Sequence, residues 1–248
     1  ARAIMTTASF PKVRDAEVGA GRIVGIAKGA GMVEPNLGTM LVFILTDVTI
    51  SREELRRALS EAVERSFNTI SIDGDQSTSD MVLALSSGRT SPVEREEFRA
   101  GLERVCRDLA ADIVRNGEGA GHVMRVSVEG APSTADARAV GKAVVNSPLV
   151  KTAIYGNDPN VGRIVSAVGD FAGNTGMPLD VSSMRVRVGE ELVFDGGAFA
   201  LDRDREVRLS EYLSGASMNP RLGGYPQHER VVDIVVSLYS GPGSAQVL

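Results

Sequence analysis

Short apolar runs alternate along the chain with segments whose apolar residues recur at helical spacing. The segment from Thr39 to Leu45 predicts a buried strand, because a continuous apolar run of this length is typical of a strand covered on both faces. Ser51 and Glu54 form the pattern of a capping box and predict a helix over about 52–67, and a second helix is predicted over about 93–115. Interleaved strands and helices of this kind predict an α/β or α+β fold.

The rest of the chain continues this alternation and suggests two domains. Glycine is dense between Asn116 and Gly121, so we expect one α/β domain over 1–118 and a second over 119–248. The chain starts without Met and ends abruptly, and we therefore expect the first domain to be incomplete at its N-terminus and the second at its C-terminus. Further predicted elements are apolar runs at 22–27, 81–85 and 164–168, a strand at 123–128, a helix at 135–145, a glycine-rich loop at 173–176, paired strands around Gly189 and a last strand at 231–238.

Composition excludes several functional classes. The chain has one cysteine, Cys106, which rules out an internal disulfide framework and a cysteine-based zinc site. A net charge of -5 argues against general nucleic-acid binding, which needs a basic surface. No stretch approaches the roughly 20 apolar residues of a membrane span, and the first residues lack the pattern of a signal peptide, so we expect a cytoplasmic protein.

Candidate metal and phosphate sites are weak. Gly29-Ala30-Gly31 is not followed by the Lys and Ser or Thr of a phosphate-binding loop. Asp73, Asp75 and Asp80 resemble a calcium loop only loosely, because the terminal Glu is missing, and we interpret the first two as acceptors for backbone N–H groups. His122 and His228 are distant in sequence and are interpreted as surface or half-buried groups, and Cys106 as a core residue on the apolar side of a helix. No metal site is predicted.

Thr39 is the hydroxyl residue best placed for chemistry. It follows Gly38, which has no Cβ and can adopt strained conformations, and it opens a rigid apolar run. A threonine hydroxyl needs a base, and its own α-amine can serve if the preceding bond is cleaved, since the pKa of such an amine is about 7.7–8.0. On residue types alone this indication is weak, because most Gly-Thr pairs before a strand are simply a turn and the start of the strand.

The motifs around Thr39 resemble the ornithine acetyltransferases, the bifunctional glutamate N-acetyltransferases of arginine biosynthesis. The run from Lys28 to Leu41 (KGAGMVEPNLGTML) is similar to the self-cleavage segment of that family. Other matching motifs follow in the family's order between residues 5 and 163. They are MTT at 5–7, FPK at 10–12, SFNTISIDGD at 66–75, STSD at 77–80, GEGA at 117–120, SPLVKTA at 147–153, DPN at 158–160 and GR at 162–163.

The resemblance implies a specific activity. It implies an α/β layered sandwich of the ornithine acetyltransferase type, made as a precursor that cuts itself between Gly38 and Thr39. Thr39 would then accept the acetyl group of N-acetylornithine as an ester and pass it to glutamate, without a cofactor. Thr6, Lys28, Thr39 and Glu118 match the family's substrate-contacting residues. The resemblance also implies a heterotetramer of two long and two short chains, with acetyl-CoA as a further candidate donor and no nucleic-acid or membrane partner.

Several positions depart from the family's pattern and leave the substrate open. Ala8 stands where the family has Asp, Gly38 replaces the usual Ala, Val161 replaces the usual Trp, and Gly121-His122 replaces Thr-Lys. The family's oxyanion-hole Thr-Gly pair would lie before this chain, and its C-terminal substrate-binding Asn and Thr after Leu248. Two alternatives therefore remain: an N-terminal-nucleophile amidohydrolase or aminopeptidase, and an uncleaved, non-catalytic paralogue.

Overall fold

A computed structural model describes residues 1–33, 40–74 and 80–248. These residues form two compact units, one made of 1–119 with 222–225 and the other of 120–221 with 226–248. Each unit contains one sheet together with helices, which confirms the predicted α/β class. The domain division after residue 118 stays a prediction. No helix within the three described ranges has both the length and the apolar character that crossing a membrane requires.

In its described residues, the first unit contains a four-stranded sheet and two α-helices. Its strands lie in the order β1 (Lys12–Val18), β2 (Gly21–Lys28), β3 (Leu41–Val48) and β4 (Met81–Thr90). The pairs β1–β2 and β2–β3 are antiparallel, whereas β3 and β4 are parallel. Parallel neighbours need a crossover, and here α1 (Arg52–Glu64) lies between them in sequence. Helix α2 (Arg95–Arg115) follows β4.

Helix α2 packs closely on one face of this sheet. Gly25 permits the approach, since a Cβ at that position would lie 2.5 Å from Cδ1 of Leu109 in α2. Residues on this face of β2 and β3, such as Ile23, Val42 and Ile44, are almost fully buried. The core of the first unit therefore lies between α2 and the inner face of the sheet.

The opposite face of the same sheet is apolar and partly exposed. Leu45 is 42% exposed and its neighbour in register, Leu85, is 53% exposed. Met81 and Leu83 continue this surface along β4. The prediction that the strand after Thr39 is covered on both faces is thus wrong for the residues described here, because α2 covers only the inner face.

The second unit is a six-stranded sheet with four helices in the described part of the chain. The sheet order is β10-β5-β9-β6-β7-β8, and β5 and β9 at its centre are parallel. A core of valine, isoleucine and leucine side chains lies between the sheet and the helices. The strands are β5 (Met124–Ala131), β6 (Arg185–Val188), β7 (Glu191–Asp195), β8 (Ala198–Phe199), β9 (Val232–Ser237) and β10 (Gly243–Val247), and the helices are α3 (Thr134–Asn146), α4 (Pro148–Tyr155), α5 (Gly162–Thr175) and α6 (Arg203–Gly215).

Two expectations for this unit need correction, namely the glycine-rich loop at 173–176 and the position of the last strand. The apolar run 164–168 and most of the predicted glycine-rich loop belong to α5, which ends at Gly176 with a left-handed φ of 73°. Ser147-Pro148 begins helix α4, since Ser147 Oγ accepts a hydrogen bond from Val150 N and proline is compatible with the first helical position. The predicted last strand is β9, and β10 follows it.

Candidate active site

The candidate residues lie around the connection from β2 to β3. Lys28 is the last residue of β2 and is half-buried, and Met40 immediately precedes β3. Gly38 and Thr39, the residues of the expected cleavage bond, fall within 34–39 and lie outside the described residues. The geometry available is therefore that of the chain on either side of this segment.

On the upstream side, a carboxylate holds the backbone. Asp73 accepts hydrogen bonds from the N–H groups of Met32 at 2.5 Å and Val33 at 3.1 Å. The N–H of Ile72 donates to the carbonyl oxygen of Val33 at 2.7 Å, which adds a backbone contact beside the carboxylate. The interpretation of Asp73 as an acceptor for backbone donors is confirmed, whereas Asp75 lies outside the described residues.

On the downstream side, a second carboxylate also holds the backbone. Asp80 Oδ1 accepts a hydrogen bond from the N–H of Met40 at 2.5 Å. The N–H of Met81 donates to the carbonyl oxygen of Met40 at 2.9 Å, so both polar groups of the Met40 backbone are held from the β4 side. Burial raises the pKa of Asp80, and the hydrogen bond from Met40 partly offsets this rise.

Sequence reasoning did not assign Asp80 this role. The three aspartates suggested only a loose calcium loop, and the structure finds no group of three candidate metal ligands within 1–33, 40–74 and 80–248. No sequence signal indicated this role, because it depends on the register of β4, which follows Asp80, against β3. Asp73 and Asp80 thus hold the chain on the two sides of segment 34–39.

Glu118 reaches the same region from the end of α2. Its N–H donates to the carbonyl oxygen of Ala30 at 2.8 Å, which ties it to the residues just after Lys28. Its carboxylate lies against Gly31, where an added Cβ would be 3.0 Å from Cδ and 3.1 Å from Oε1 of Glu118. Gly119 has a φ of 71°, a left-handed conformation that favours glycine. The structure therefore brings Glu118 beside the segment that leads from Lys28 to Thr39.

A buried lysine lies close to Lys28. Lys12 is only 1% exposed, and its Nζ donates to Asn116 Oδ1 at 2.8 Å. Burial lowers the pKa of Lys12 to about 8; Asp112 opposes this shift, and the charge of Lys28 adds to it. Sequence reasoning quoted Lys12 within a motif but gave it no role. Its place on the same side of β1 as the buried Ala16 and Val18 was the missed signal.

The remaining candidates make no hydrogen bond to Lys28 or Glu118 within the described part of the chain. Thr6 is exposed and its side chain makes no hydrogen bond with the described residues. The interpretation of Cys106 as a core residue is confirmed, since it is fully buried and burial raises the pKa of its thiol to about 12. In the second unit, His122 Nε2 lies 3.0 Å from Asn157 Oδ1 and 3.1 Å from the carbonyl oxygen of Leu213, and burial lowers the pKa of the imidazole.

Comparison with known proteins decides the family. The ArgJ family profile matches residues 1–248, the whole chain. The chain belongs to the ArgJ family. The predicted resemblance is therefore confirmed.

Curated relatives agree with this assignment. The chain is 38% identical over 246 residues to the arginine biosynthesis bifunctional protein ArgJ of Thermus thermophilus, a match that covers 99% of this chain and 59% of that protein. It is 39% identical over 254 residues to a glutamate N-acetyltransferase of Methanopyrus kandleri, covering 99% of this chain and 60% of the relative. The chain thus spans about three fifths of the length of these relatives.

A solved structure shares the fold. The crystal structure of the arginine biosynthesis bifunctional protein ArgJ from Bacillus halodurans superposes with a TM-score of 0.71 at 32% identity. The match covers 83% of this chain and 91% of that one.

Proposed function

We propose that this chain is the nucleophile-bearing part of a glutamate N-acetyltransferase that cleaves itself between Gly38 and Thr39. The observation that carries the proposal is the anchoring of the chain on both sides of segment 34–39 by Asp73 and Asp80, in a member of the ArgJ family. A segment that must present one peptide bond to one hydroxyl benefits from such fixed ends, because intramolecular reactions depend on near-attack geometry.

The cleavage step uses only groups of the chain and water. The Thr39 hydroxyl attacks the carbonyl carbon of Gly38, the peptide C–N bond breaks as an ester forms, and the hydroxyl proton passes to the departing amine. Water then hydrolyses the ester, which leaves a carboxylate on Gly38 and a free α-amine and hydroxyl on Thr39. This α-amine serves as the base in later turnovers, since its ordinary pKa of about 7.7–8.0 lies close to neutral pH.

The transfer step is a two-stage exchange on Thr39. Its hydroxyl attacks the acetyl carbonyl of N-acetylornithine, the amide C–N bond breaks, and ornithine leaves with the proton relayed by the α-amine. The amine of glutamate then attacks the acetyl ester, which forms N-acetylglutamate and restores the hydroxyl. No cofactor enters this scheme, because the donor is an amide and the intermediate is covalent.

Lys28 and Glu118 carry charges opposite to charged groups of the two substrates. Both N-acetylornithine and glutamate carry an α-carboxylate, which the ammonium of Lys28 neutralises. Glu118 pairs with a substrate ammonium or moves protons, and its contact with Ala30 places it near Lys28 in the fold. Thr6 is the further substrate contact that the family resemblance suggests. The same resemblance supports a heterotetramer of two cleaved chain pairs in the cytoplasm, which light scattering and cell fractionation test.

Intact-mass measurement with acetyl-transfer assays tests the proposal. The coding region is expressed with any sequence that flanks it, and fragments divided between Gly38 and Thr39 are expected. Incubation with N-acetylornithine alone should add one acetyl group to Thr39, and glutamate should remove it. Thr39→Ala should abolish both cleavage and transfer, and transfer by that variant would refute the mechanism. Loss of the acetyl group to water at the same rate without glutamate indicates an amidohydrolase, and an unbroken, inactive chain indicates a non-catalytic paralogue.

A further inference from the structure

The Met40 backbone is held by two hydrogen bonds from the β4 side, just before β3 begins. The β3–β4 ladder begins with the pair Leu41 and Met81, one residue after Met40. The carbonyl of Met40 is satisfied by the N–H of Met81 at 2.9 Å. Its N–H donates to Oδ1 of Asp80 at 2.5 Å, and not to a strand carbonyl. A charged side chain thus extends the ladder by one residue toward Thr39.

This contact acts on the residue that directly follows Thr39 in the chain. Met40 N is bonded to the carbonyl carbon of Thr39, and a peptide group is planar from one Cα to the next. The Met40 N–H is held by Asp80 and the Met40 side chain is only 2% exposed, so the residue bonded to the nucleophile is fixed by both its backbone and its side chain.

A carboxylate is a costly way to satisfy one N–H group. Asp80 is half-buried, and desolvation disfavours its charged form. A charged acceptor makes a shorter and stronger hydrogen bond than a neutral one, which is consistent with the 2.5 Å separation. Desolvation of the Asp80 carboxylate is unfavourable, but the strong hydrogen bond that it accepts makes the Met40 peptide more rigid.

We propose that Asp80 is a positioning residue for the Thr39 nucleophile, acting through its hydrogen bond to the Met40 backbone. This inference rests on the proposed function of Thr39 and assigns Asp80 a role in both self-cleavage and transfer. Asp80 acts as a hydrogen-bond acceptor in a fixed place and does not touch the substrate. Its loss should therefore lower the rate of the chemical steps and leave substrate affinity largely unchanged.

The test compares two substitutions at Asp80. Asp80→Ala removes the acceptor, and we expect slower self-cleavage and a roughly 10- to 100-fold lower kcat in the cleaved fraction with KM within about twofold, because misplacement by about 1 Å can cost 100-fold. Asp80→Asn keeps a side-chain oxygen that can accept from the same N–H, and it should restore cleavage and kcat to within about fivefold of the wild type, since neutral hydrogen bonds are weaker than charged ones.

Asp47→Ala provides a matched control. Asp47 Oδ1 accepts a hydrogen bond from the backbone N–H of Arg22 at 2.7 Å, and it lies in the same strand, β3, near the end remote from Thr39. Its removal should leave cleavage and kcat unchanged per folded molecule, with the folded fraction measured by circular dichroism. Loss of activity in Asp47→Ala equal to that in Asp80→Ala would show a general effect on the sheet and overturn the proposal.

Other outcomes are equally decisive. Equal impairment of Asp80→Asn and Asp80→Ala would show that the charge, not the acceptor, matters, and would overturn the positioning role. A rise in KM at constant kcat would do the same, as would full activity of Asp80→Ala. If Asp80→Ala does not fold, the near-wild-type rates expected of Asp80→Asn remain the test. A wild-type protein that neither cleaves nor forms the ester would instead refute the function of Thr39 itself.

Discussion

The buried amine of Lys12 donates a hydrogen bond at 2.8 Å to the side-chain oxygen of Asn116, which follows the last residue of α2. Asn116 in turn donates to Ser9 Oγ at 2.9 Å. These two bonds tie the start of β1 to the end of α2, and Glu118 lies two residues beyond Asn116. The chain that leads to Glu118 is thus held by the hydrogen bonds of Asn116 inside the first unit.

Lys12→Met should change how stability depends on pH. Burial lowers the pKa of Lys12 to about 8 in the folded protein, whereas its ordinary value is 10.5. The unfolded chain therefore binds more protons between these values, and the free energy of unfolding of the wild type should rise with pH across this window. The gain relative to Lys12→Met should be about 2–3 kcal/mol between pH 8 and 10.5, measured by urea denaturation. Parallel curves for the two proteins would contradict the burial of a titrating amine.

Gly31→Ala should impair transfer without unfolding the protein. The added Cβ would lie 3.0–3.3 Å from the Glu118 carboxylate group, a flexible group that can move by a few tenths of an ångström. We expect stability to change by about 0.5 kcal/mol or less and kcat/KM for acetyl transfer to fall about tenfold. Gly29→Ala is the matched control, since its Cβ would lie 3.4 Å or more from any neighbour. Equal kinetics for the two variants would argue against a role for Glu118 at the site.

Asp112→Asn should destabilise the first unit. The Asp112 side chain is 3% exposed and accepts from Arg14 Nε at 2.7 Å and Arg14 Nη2 at 2.8 Å. Removing its charge leaves the guanidinium poorly paired, and we expect a loss of about 2–3 kcal/mol in the free energy of unfolding, below the full cost of breaking a buried pair because Arg14 is 31% exposed. Asp195→Asn breaks the exposed pair with Arg185 and should cost less than about 1 kcal/mol. Similar losses in both variants would refute this ranking.

Cys106 should resist alkylation in the folded protein. Its thiol is fully buried in α2, and burial raises its pKa to about 12, so little thiolate forms at neutral pH. Iodoacetamide at pH 8 should add no mass to the native protein and one adduct after denaturation, because the chain has a single cysteine. Rapid labelling of native protein would show that α2 opens more easily than its packing indicates.

Local sequence signals predicted helices best where a cap defines them. Ser51 Oγ accepts from the N–H of Glu54 at 3.2 Å, as the capping box predicted, and α1 starts at Arg52. The run 164–168 was ambiguous because four or five apolar residues fit a buried strand or one side of a helix. Gly169 and Gly173 obscured the helix, although a Cβ at either position would meet nothing within 4 Å.

The candidate site was only partly predictable. Lys28 and Glu118 came from motif similarity, and the contact of Glu118 with Ala30 depends on where α2 ends, which Asn116-Gly117 does mark in sequence. The contact of Asp80 with Met40 could not be predicted, because it depends on the register of β3 against β4 between residues that lie far apart in the chain. Spacing along the chain carries no information about such a register.

Cleavage of the backbone before Thr39 would change what the antiparallel ladder between β2 and β3 connects. Its six residue pairs, from Ile23 with Thr46 to Lys28 with Leu41, would then join two separate polypeptides. The products should leave a sizing column together and part only in denaturant. Refolding from separated fragments would become a second-order reaction whose yield depends on protein concentration, whereas the uncut precursor would refold at a rate independent of it.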